Sequence, residues 1–272
     1  MSIKRVTSAL QKLYPLHLAE SWDNVGLLVD TPVLTNSSKT KVLLTIDLTK
    51  RVVDEAISQK VNLIVAYHPF IFKGIKSITS SNPQHVSLLR LIQAGISVYS
   101  PHTAVDSVIG GVNDWIVKGC VEEGNIESSV VISKSKTDDE SGVGRVVNLK
   151  EGVKLMDVVT SLKKHLGVKD LLVASDSLDK ADIKSFAVCA GSGSGVFAEL
   201  RQDVDLYVTG EMSHHEALMF KEKGKALICA NHSNTERGYL SEMKVKLERE
   251  LSGEDSAEVI ISKEDADPFT FV

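Results

Sequence analysis

Residues 41–47, KVLLTID, form a continuous apolar run that ends in an acidic residue. Such a run is typical of a strand that is buried on both faces, as in a parallel sheet. Asn62–Ala66 is the next predicted strand, and between the two Thr49 caps a predicted helix with an apolar face of Val52, Val53, Ala56 and Ile57. Strand, helix and strand in this order predict an α/β fold with parallel pairing.

The same alternation of strand and helix patterns continues through the rest of the chain. We expect one α/β domain over residues 1–133 and a related one over residues 145–272, with largely parallel sheets in both. Residues 134–144, KSKTDDESGVG, are polar and aperiodic and are predicted to link them. The last predicted helix, Thr235–Leu251, and strand, Ala257–Ile261, either complete the second domain or return to the first.

The composition is that of a globular protein with a sizeable core. Of the 272 residues, 43% are apolar and 25% are charged, and the net charge of −5 makes nucleic-acid binding over the whole surface unexpected. No apolar stretch approaches the roughly 20 residues that span a bilayer. Cys120, Cys189 and Cys229 are odd in number, so we expect buried free thiols in a reducing compartment: first the cytoplasm, with the nucleus and mitochondrion as alternatives.

The N-terminal segment is mildly basic and lacks acidic residues. A mitochondrial transit peptide shares these features. However, apolar residues recur at helical spacing and a proline follows them, at Ile3, Val6, Leu10, Leu13 and Pro15. We therefore predict a folded first helix.

Four segments place metal-binding side chains directly after predicted strands. In open α/β sheets, ligands bind outside the carboxyl ends of the strands, so we expect these segments to share one rim. They contain five of the eight histidines, together with three acidic residues, and so predict a histidine/carboxylate metal site. The segments are Tyr67–Pro69, His102–Asp106, Glu211–His215 and His232–Glu236.

Two histidine/acid pairs within these segments have the same spacing. His102 and Asp106 are four residues apart, and so are His232 and Glu236, which brings both side chains to one face wherever the segment is helical. Nitrogen and carboxylate donors favour zinc, manganese or iron over calcium or magnesium. The alternative is structural, because Glu236 also suits the first turn of a helix.

The adjacent residues His214 and His215 begin a further predicted helix. Their side chains point about 100° apart, so we expect only one to face the site, as an acid/base group or a substrate contact. Glu211 could serve similarly or cap that helix.

Two loops have alternative interpretations. Gly191–Gly195, GSGSG, either holds an anion at a helix N-terminus or is a tight turn that needs small residues. Trp22–Gly26, WDNVG, either faces the substrate or is an Asn/Gly turn.

Taken together, these segments resemble the Nif-three-like family, in particular its eukaryotic branch. The similar stretches occur in the expected order over nearly the whole chain. They are Ser21–Leu27 (SWDNVGL), Tyr67–Lys73 (YHPFIFK), Tyr99–Asp106 (YSPHTAVD), Gly191–Gly195, Thr209–His215 (TGEMSHH) and His232–Gly238 (HSNTERG). The resemblance implies two related α/β domains, a toroidal homohexamer and a dinuclear metal centre that faces the internal cavity.

The resemblance also implies a set of site residues and an activity. The implied metal ligands are His68, Asp106, His232 and Glu236, with the two acids bridging and His102 nearby. Some members are named as GTP cyclohydrolases, which implies a metal-dependent hydrolase with a small polar substrate of the nucleotide or purine type, with or without phosphate. We expect proton transfer by His102, or by one of the histidines 214 and 215. The alternative is a hexameric metal-binding protein without catalysis, whose protein partners act in transcription or stress responses.

Tyr67 departs from the pattern of many bacterial members, which have two consecutive histidines where this chain has Tyr67-His68. A phenol, with a pKa near 10, is a poor zinc ligand at neutral pH. We therefore expect one or two metals per chain, the second being weak, absent or held by another residue.

Overall fold

The computed structural model describes residues 2–32, 40–179, 182–253 and 257–270. Within them the strands are β1 Gly26–Val29, β2 Lys41–Thr45, β3 Leu63–Ala66, β4 Ser97–Ser100, β5 Ile126–Lys134, β6 Gly142–Val153, β7 Leu172–Ala174, β8 Ile183–Ser192, β9 Leu206–Glu211, β10 Ala226–Cys229 and β11 Glu258–Ile261. The helices are α1 Ile3–Leu13, α2 Lys50–Ser58, α3 Pro83–Gln93, α4 Thr103–Ser107, α5 Val112–Cys120, α6 Leu155–Leu166, α7 Ser194–Ala198, α8 His214–Glu222, α9 Asn234–Arg237 and α10 Tyr239–Glu250. None of these helices is long and apolar enough to cross a membrane.

The chain divides into two compact units at positions that differ from the expected ones. The first unit contains Met1–Val105 and Leu240–Val272, and the second contains Asp106–Tyr239. The expected linker, residues 134–144, instead connects β5 to β6 in a hairpin of the second unit. The strand β11 pairs with β2 in the first unit.

The first unit contains a five-stranded sheet in the order β1-β4-β3-β2-β11. Neighbours from β4 to β11 are parallel, and β1 is antiparallel to β4. The apolar run in β2 is buried, as its sequence predicts, and α2 and α3 pack on the sheet through Val52, Val53, Leu88 and Leu91. The predicted cap of α2 is confirmed, because the Thr49 side chain accepts a hydrogen bond from the Val52 amide.

The second unit contains a six-stranded sheet in the order β5-β6-β8-β9-β10-β7. Only β8, β9 and β10 are mutually parallel; β5, β6 and β8 pair antiparallel, and β7 is antiparallel to β10. The expectation of a largely parallel sheet is therefore wrong for this unit. The reason is the β5–β6 hairpin, whose polar turn has the composition of a linker.

Two smaller expectations concern the last long helix and the cysteines. The predicted helix Thr235–Leu251 is two helices, α9 and α10, that meet at Gly238. A β-carbon at Gly238 would clash with the Trp115 ring, at 2.5 Å from Cη2, so glycine is required for that packing.

All three cysteines are free and buried, as expected.

Candidate metal centre

The carboxyl ends of three neighbouring parallel strands carry the candidate residues of the first unit. Asp47 follows β2, His68 follows β3 and His102 follows β4. Because β2, β3 and β4 are adjacent and parallel, their ends lie at the same edge of the sheet. The centres of the two imidazole rings are 5.4 Å apart.

Each of these histidines is held by a carboxylate through the same ring nitrogen. His68 Nδ1 lies 2.9 Å from Asp47 Oδ1, and His102 Nδ1 lies 2.8 Å from Asp23 Oδ1. An ionised carboxylate only accepts hydrogen bonds, so each Nδ1–H is the donor; in the neutral form of the ring, Nε2 is then the nitrogen that carries the lone pair. Metal-binding histidines in proteins are usually oriented in this way by a carboxylate.

Asp23 is a fixed anchor for His102. Its second oxygen accepts hydrogen bonds from the Thr103 amide (3.2 Å) and hydroxyl (2.5 Å). Burial alone would raise the pKa of the Asp23 carboxyl, but the hydrogen bond from His102, the charge on His102 and the Thr103 bonds lower it below its ordinary value. Asp23 therefore stays ionised and fixes the imidazole.

Tyr67 lies behind the two imidazoles and is fully buried. Its ring centre is 5.5 Å from that of His68 and 6.2 Å from that of His102. Its carbonyl accepts hydrogen bonds from the His102 amide and the Ser100 hydroxyl. The tyrosine therefore packs against both histidines and extends the pairing of β3 with β4.

In the second unit, the ends of β8, β9 and β10 form a corresponding edge. Glu211 ends β9, and His232 follows β10. The Nδ1 of His232 is hydrogen-bonded to Glu211 Oε1, and its Nε2 lies 3.4 Å from Glu236 Oε1. Glu236, in α9, is only 3% exposed. The i,i+4 spacing thus brings His232 and Glu236 together, as predicted, with Glu211 as the anchor.

The GSGSG turn at the end of β8 leaves room for this pair. Gly191 has a φ of +62°, and a β-carbon there would lie 2.9 Å from His232 Nε2 and 3.1 Å from Glu236 Oε1. The Gly191 amide donates to the Thr235 hydroxyl, and its carbonyl accepts from the Thr209 hydroxyl. Close packing beside His232 therefore explains this glycine, which favours the tight-turn interpretation.

Asp106 is connected to the same edge through Asn113, which is fully buried in α5. The Asn113 amide group donates to the Asp106 carbonyl (2.9 Å), and its oxygen accepts from the Ala190 amide (2.9 Å), one residue before Gly191. The pKa of the Cys189 thiol is raised by burial and also by the negative charges of Asp106 and Glu236. Both predicted bridging acids thus act on one buried thiol of the second unit.

The remaining predicted residues are His214 and His215. Both are exposed in the first turn of α8, with ring centres 5.4 Å apart. The helix is capped by Ser213 and Glu216 in a capping box, so capping does not require Glu211, which is bonded to His232 instead.

His68 at the sheet edge of the first unit, and the pair His232 and Glu236 at the sheet edge of the second, each offer donor atoms of the kind that hold a metal ion. Imidazole nitrogens with a carboxylate suit zinc, manganese or iron, so the residues fit the predicted metal. The sequence patterns did not indicate the contacts that Asp23, Asp47 and Asn113 make with the candidate residues. Asp47 had a signal, since it ends the KVLLTID run, whereas Asp23 and Asn113 reach their partners only through the fold.

Comparison with known proteins agrees with this fold and shows the family. The chain belongs to the Duf34/NIF3 (NGG1p interacting factor 3) family, whose model matches residues 1–268. It is 47% identical to NGG1-interacting factor 3 of Saccharomyces cerevisiae over 98% of this chain and 96% of that protein. It is 33% identical to the GTP cyclohydrolase 1 type 2 homolog of Clostridium perfringens over the full length of both.

A solved structure shows the same fold. The hypothetical protein SA1388 of Staphylococcus aureus superposes with a TM-score of 0.84 at 27% identity, over 100% of this chain and 99% of that one.

Proposed function

We propose that the protein is a metal-dependent hydrolase whose metal ligands are His68, Asp106, His232 and Glu236. The observation that carries the proposal is that the Nδ1–H groups of His68 and His232 each donate to a carboxylate, which is how metal-binding histidines in proteins are usually oriented. A divalent metal held there would supply Lewis-acid chemistry, activating water and polarising the bond to be cleaved.

The other residues of the site orient the metal ligands or transfer protons. Asp47 and Glu211 fix the two histidine ligands. We assign proton transfer to His102, because Asp23 holds its Nδ1 and leaves Nε2 to accept a proton from substrate or water. The exposed histidines 214 and 215 are the second choice for this role.

The proposed substrate is a small polar molecule of the nucleotide or purine type. This part of the proposal is supported by the name of the Clostridium perfringens relative, a GTP cyclohydrolase 1 type 2 homolog. Hydrolytic opening of a purine ring in GTP is the reaction class that this name suggests.

Elemental analysis of protein purified without chelators tests the metal site. We expect a divalent transition metal in the parent protein, and far less in Asp106→Ala and Glu236→Ala. The matched control is Glu222→Ala, which removes an exposed acid at the end of α8. Equal, near-zero metal in all four proteins would refute the proposal.

Turnover by metal-loaded protein on a panel of nucleotides and purines tests the proton-transfer assignment. His102→Gln should lower the rate by roughly 10²-fold or more without changing bound metal. His214→Gln and His215→Gln are the comparison pair. If one of them loses turnover while His102→Gln does not, the role belongs to α8.

We further propose that the chain assembles as a closed homohexamer, as the family resemblance implies. Sedimentation velocity should then show one species far larger than the 29.6 kDa chain. A stable monomer at micromolar concentration would contradict the assembly.

The second candidate function is a hexameric metal-binding interaction protein without catalysis. The observation that favours it is the 47% identity to a yeast protein named for interaction with NGG1. A metal-loaded protein that turns over no nucleotide, purine or phosphoester in the panel would favour this function over the hydrolase.

A further inference from the structure

We propose that Trp22 and Phe72 form a stacking surface that holds the purine ring of the substrate beside His102. This inference rests on the proposed function for the identity of the ring. The surface itself is defined by the geometry of the first unit.

Both rings are unusually exposed for large aromatic side chains. Trp22 is 60% exposed and Phe72 is 47% exposed. Their ring centres are 6.0 Å apart in an edge-to-face arrangement. The other tryptophan, Trp115, is packed against His165 and Tyr239, which is the usual environment of an indole ring. An exposed pair of aromatic rings is a common means of binding a planar base.

The pair is placed next to the candidate catalytic histidine. The Trp22 ring centre is 6.0 Å from that of His102. The next residue in the chain, Asp23, holds His102 through Nδ1. A base stacked on Trp22 would therefore lie beside the imidazole that we assign to proton transfer, and one short loop would set both positions.

Hydrogen bonds fix the positions of the two loops that carry Trp22 and Phe72. The Asn24 side-chain amide donates to the Ile71 carbonyl (2.5 Å), which joins the loop of Trp22 to that of Phe72. The Gln84 side chain donates to the Phe70 carbonyl (2.9 Å), which fixes the second loop to α3. A surface ordered before binding loses less entropy when the ligand arrives.

The space next to Phe72 suits the rest of a nucleotide. Phe72 lines a cavity of about 470 Å³ together with Lys73 and Lys76. This volume is in the range of small-molecule sites, and the two ammonium groups complement a phosphate.

Tryptophan fluorescence provides the test without requiring turnover. In Trp115→Phe protein, Trp22 is the sole tryptophan of the chain, which has two. Titration with guanosine should quench its emission with saturation, and ribose 5-phosphate, which has no base, should not quench it. Binding measured by calorimetry should weaken about ten-fold or more in Trp22→Ala and in Phe72→Ala, whereas Trp22→Phe should stay within about three-fold. Val245→Ala, which changes an exposed residue of α10, should bind like the parent protein.

Several outcomes would overturn the inference. Guanosine that leaves Trp22 emission unchanged, or binds Trp22→Ala as tightly as the parent, excludes a stacking role. If Trp22→Ala sediments as a smaller species but keeps its guanosine affinity, the pair is an interface between chains. Metal-dependent hydrolysis of another substrate without guanosine binding would leave the proposed function standing and reject this surface. Saturable, Trp22-dependent guanosine binding without turnover would support the surface and count against the hydrolase.

Discussion

Each of the two units has three neighbouring parallel strands whose carboxyl ends lie at one edge of its sheet. The residues at these two edges are packed differently. In the first unit, side chains fill the edge: two imidazoles are each held by a carboxylate, with Tyr67 packed behind them. In the second unit, Gly191 and Gly210 let the backbones of β8 and β9 approach His232 and Glu236. Both edges hold a histidine through a carboxylate, but the second edge also depends on the absence of side chains at its two glycines.

The largest effect should come from adding a methyl group to the second edge. Gly191→Ala forces an alanine into a left-handed conformation and places Cβ 2.9 Å from His232 Nε2. We expect a loss of about 2–4 kcal/mol in the free energy of unfolding, from the backbone strain and the overpacking together, and weaker metal binding. Urea denaturation and metal titration would measure the two losses.

The control for this substitution is in the same turn. A β-carbon at Gly195 meets nothing within 4 Å, and the residue lies in α7. Gly195→Ala should be neutral or stabilise by up to about 1 kcal/mol. If the two variants lose equal stability, the close approach at Gly191 is not the cause.

Removing one carboxylate anchor at a time tests whether both edges serve the metal. Asp47→Asn and Glu211→Gln should each weaken metal affinity by roughly 10–100-fold, because the imidazole loses its orienting anion. Calorimetric titration of apo-protein would show it, with Glu222→Gln as a surface control. An effect at only one anchor would confine metal binding to that unit.

Tyr67 makes the first edge a poorer source of ligands than two consecutive histidines would be. We expect the parent apo-protein to bind one tight equivalent of zinc or manganese and to bind a second weakly or not at all. Tyr67→His should strengthen the second equivalent, and Tyr67→Phe should leave the stoichiometry unchanged. Two equal, tight equivalents in the parent would contradict the asymmetry.

The smallest effect should be a pH dependence at the first edge. The pKa of Asp23 is lower in the folded protein than its ordinary value of 3.8. The stability that this charge contributes is therefore fully present above about pH 4 and is lost as the pH falls through the folded-state pKa. The stability difference between the parent and Asp23→Asn should shrink below that pH.

Denaturant unfolding at pH 7 and at two or three pH values below 4 would measure this change. Asp139→Asn, an exposed acid in the β5–β6 turn, supplies the background pH dependence. A difference between parent and Asp23→Asn that is constant over the whole range would rule out the Asp23 contribution.

Sequence patterns predicted the elements that carry the site. Apolar runs defined β2, β3 and β10 because strands buried on both faces contain few polar residues. The hairpin of β5 and β6 was not predicted, since its polar turn has the composition of a linker and β5 is mostly exposed. Local composition indicates whether a segment is buried, but it does not indicate which strand that segment pairs with.

The amino-acid sequence by itself determined which residues follow the strands, and the i,i+4 spacing that joins His232 to Glu236 within one turn of chain. Only the tertiary structure decided that Asp47 bonds His68, that Asp23 bonds His102 from 79 positions away, and that Gly191 must lack a side chain. These contacts depend on strand order and on backbone approach. Strand order and backbone approach both result from the packing of the whole sheet. Residues distant in sequence come into contact only when their strands become neighbours in that sheet.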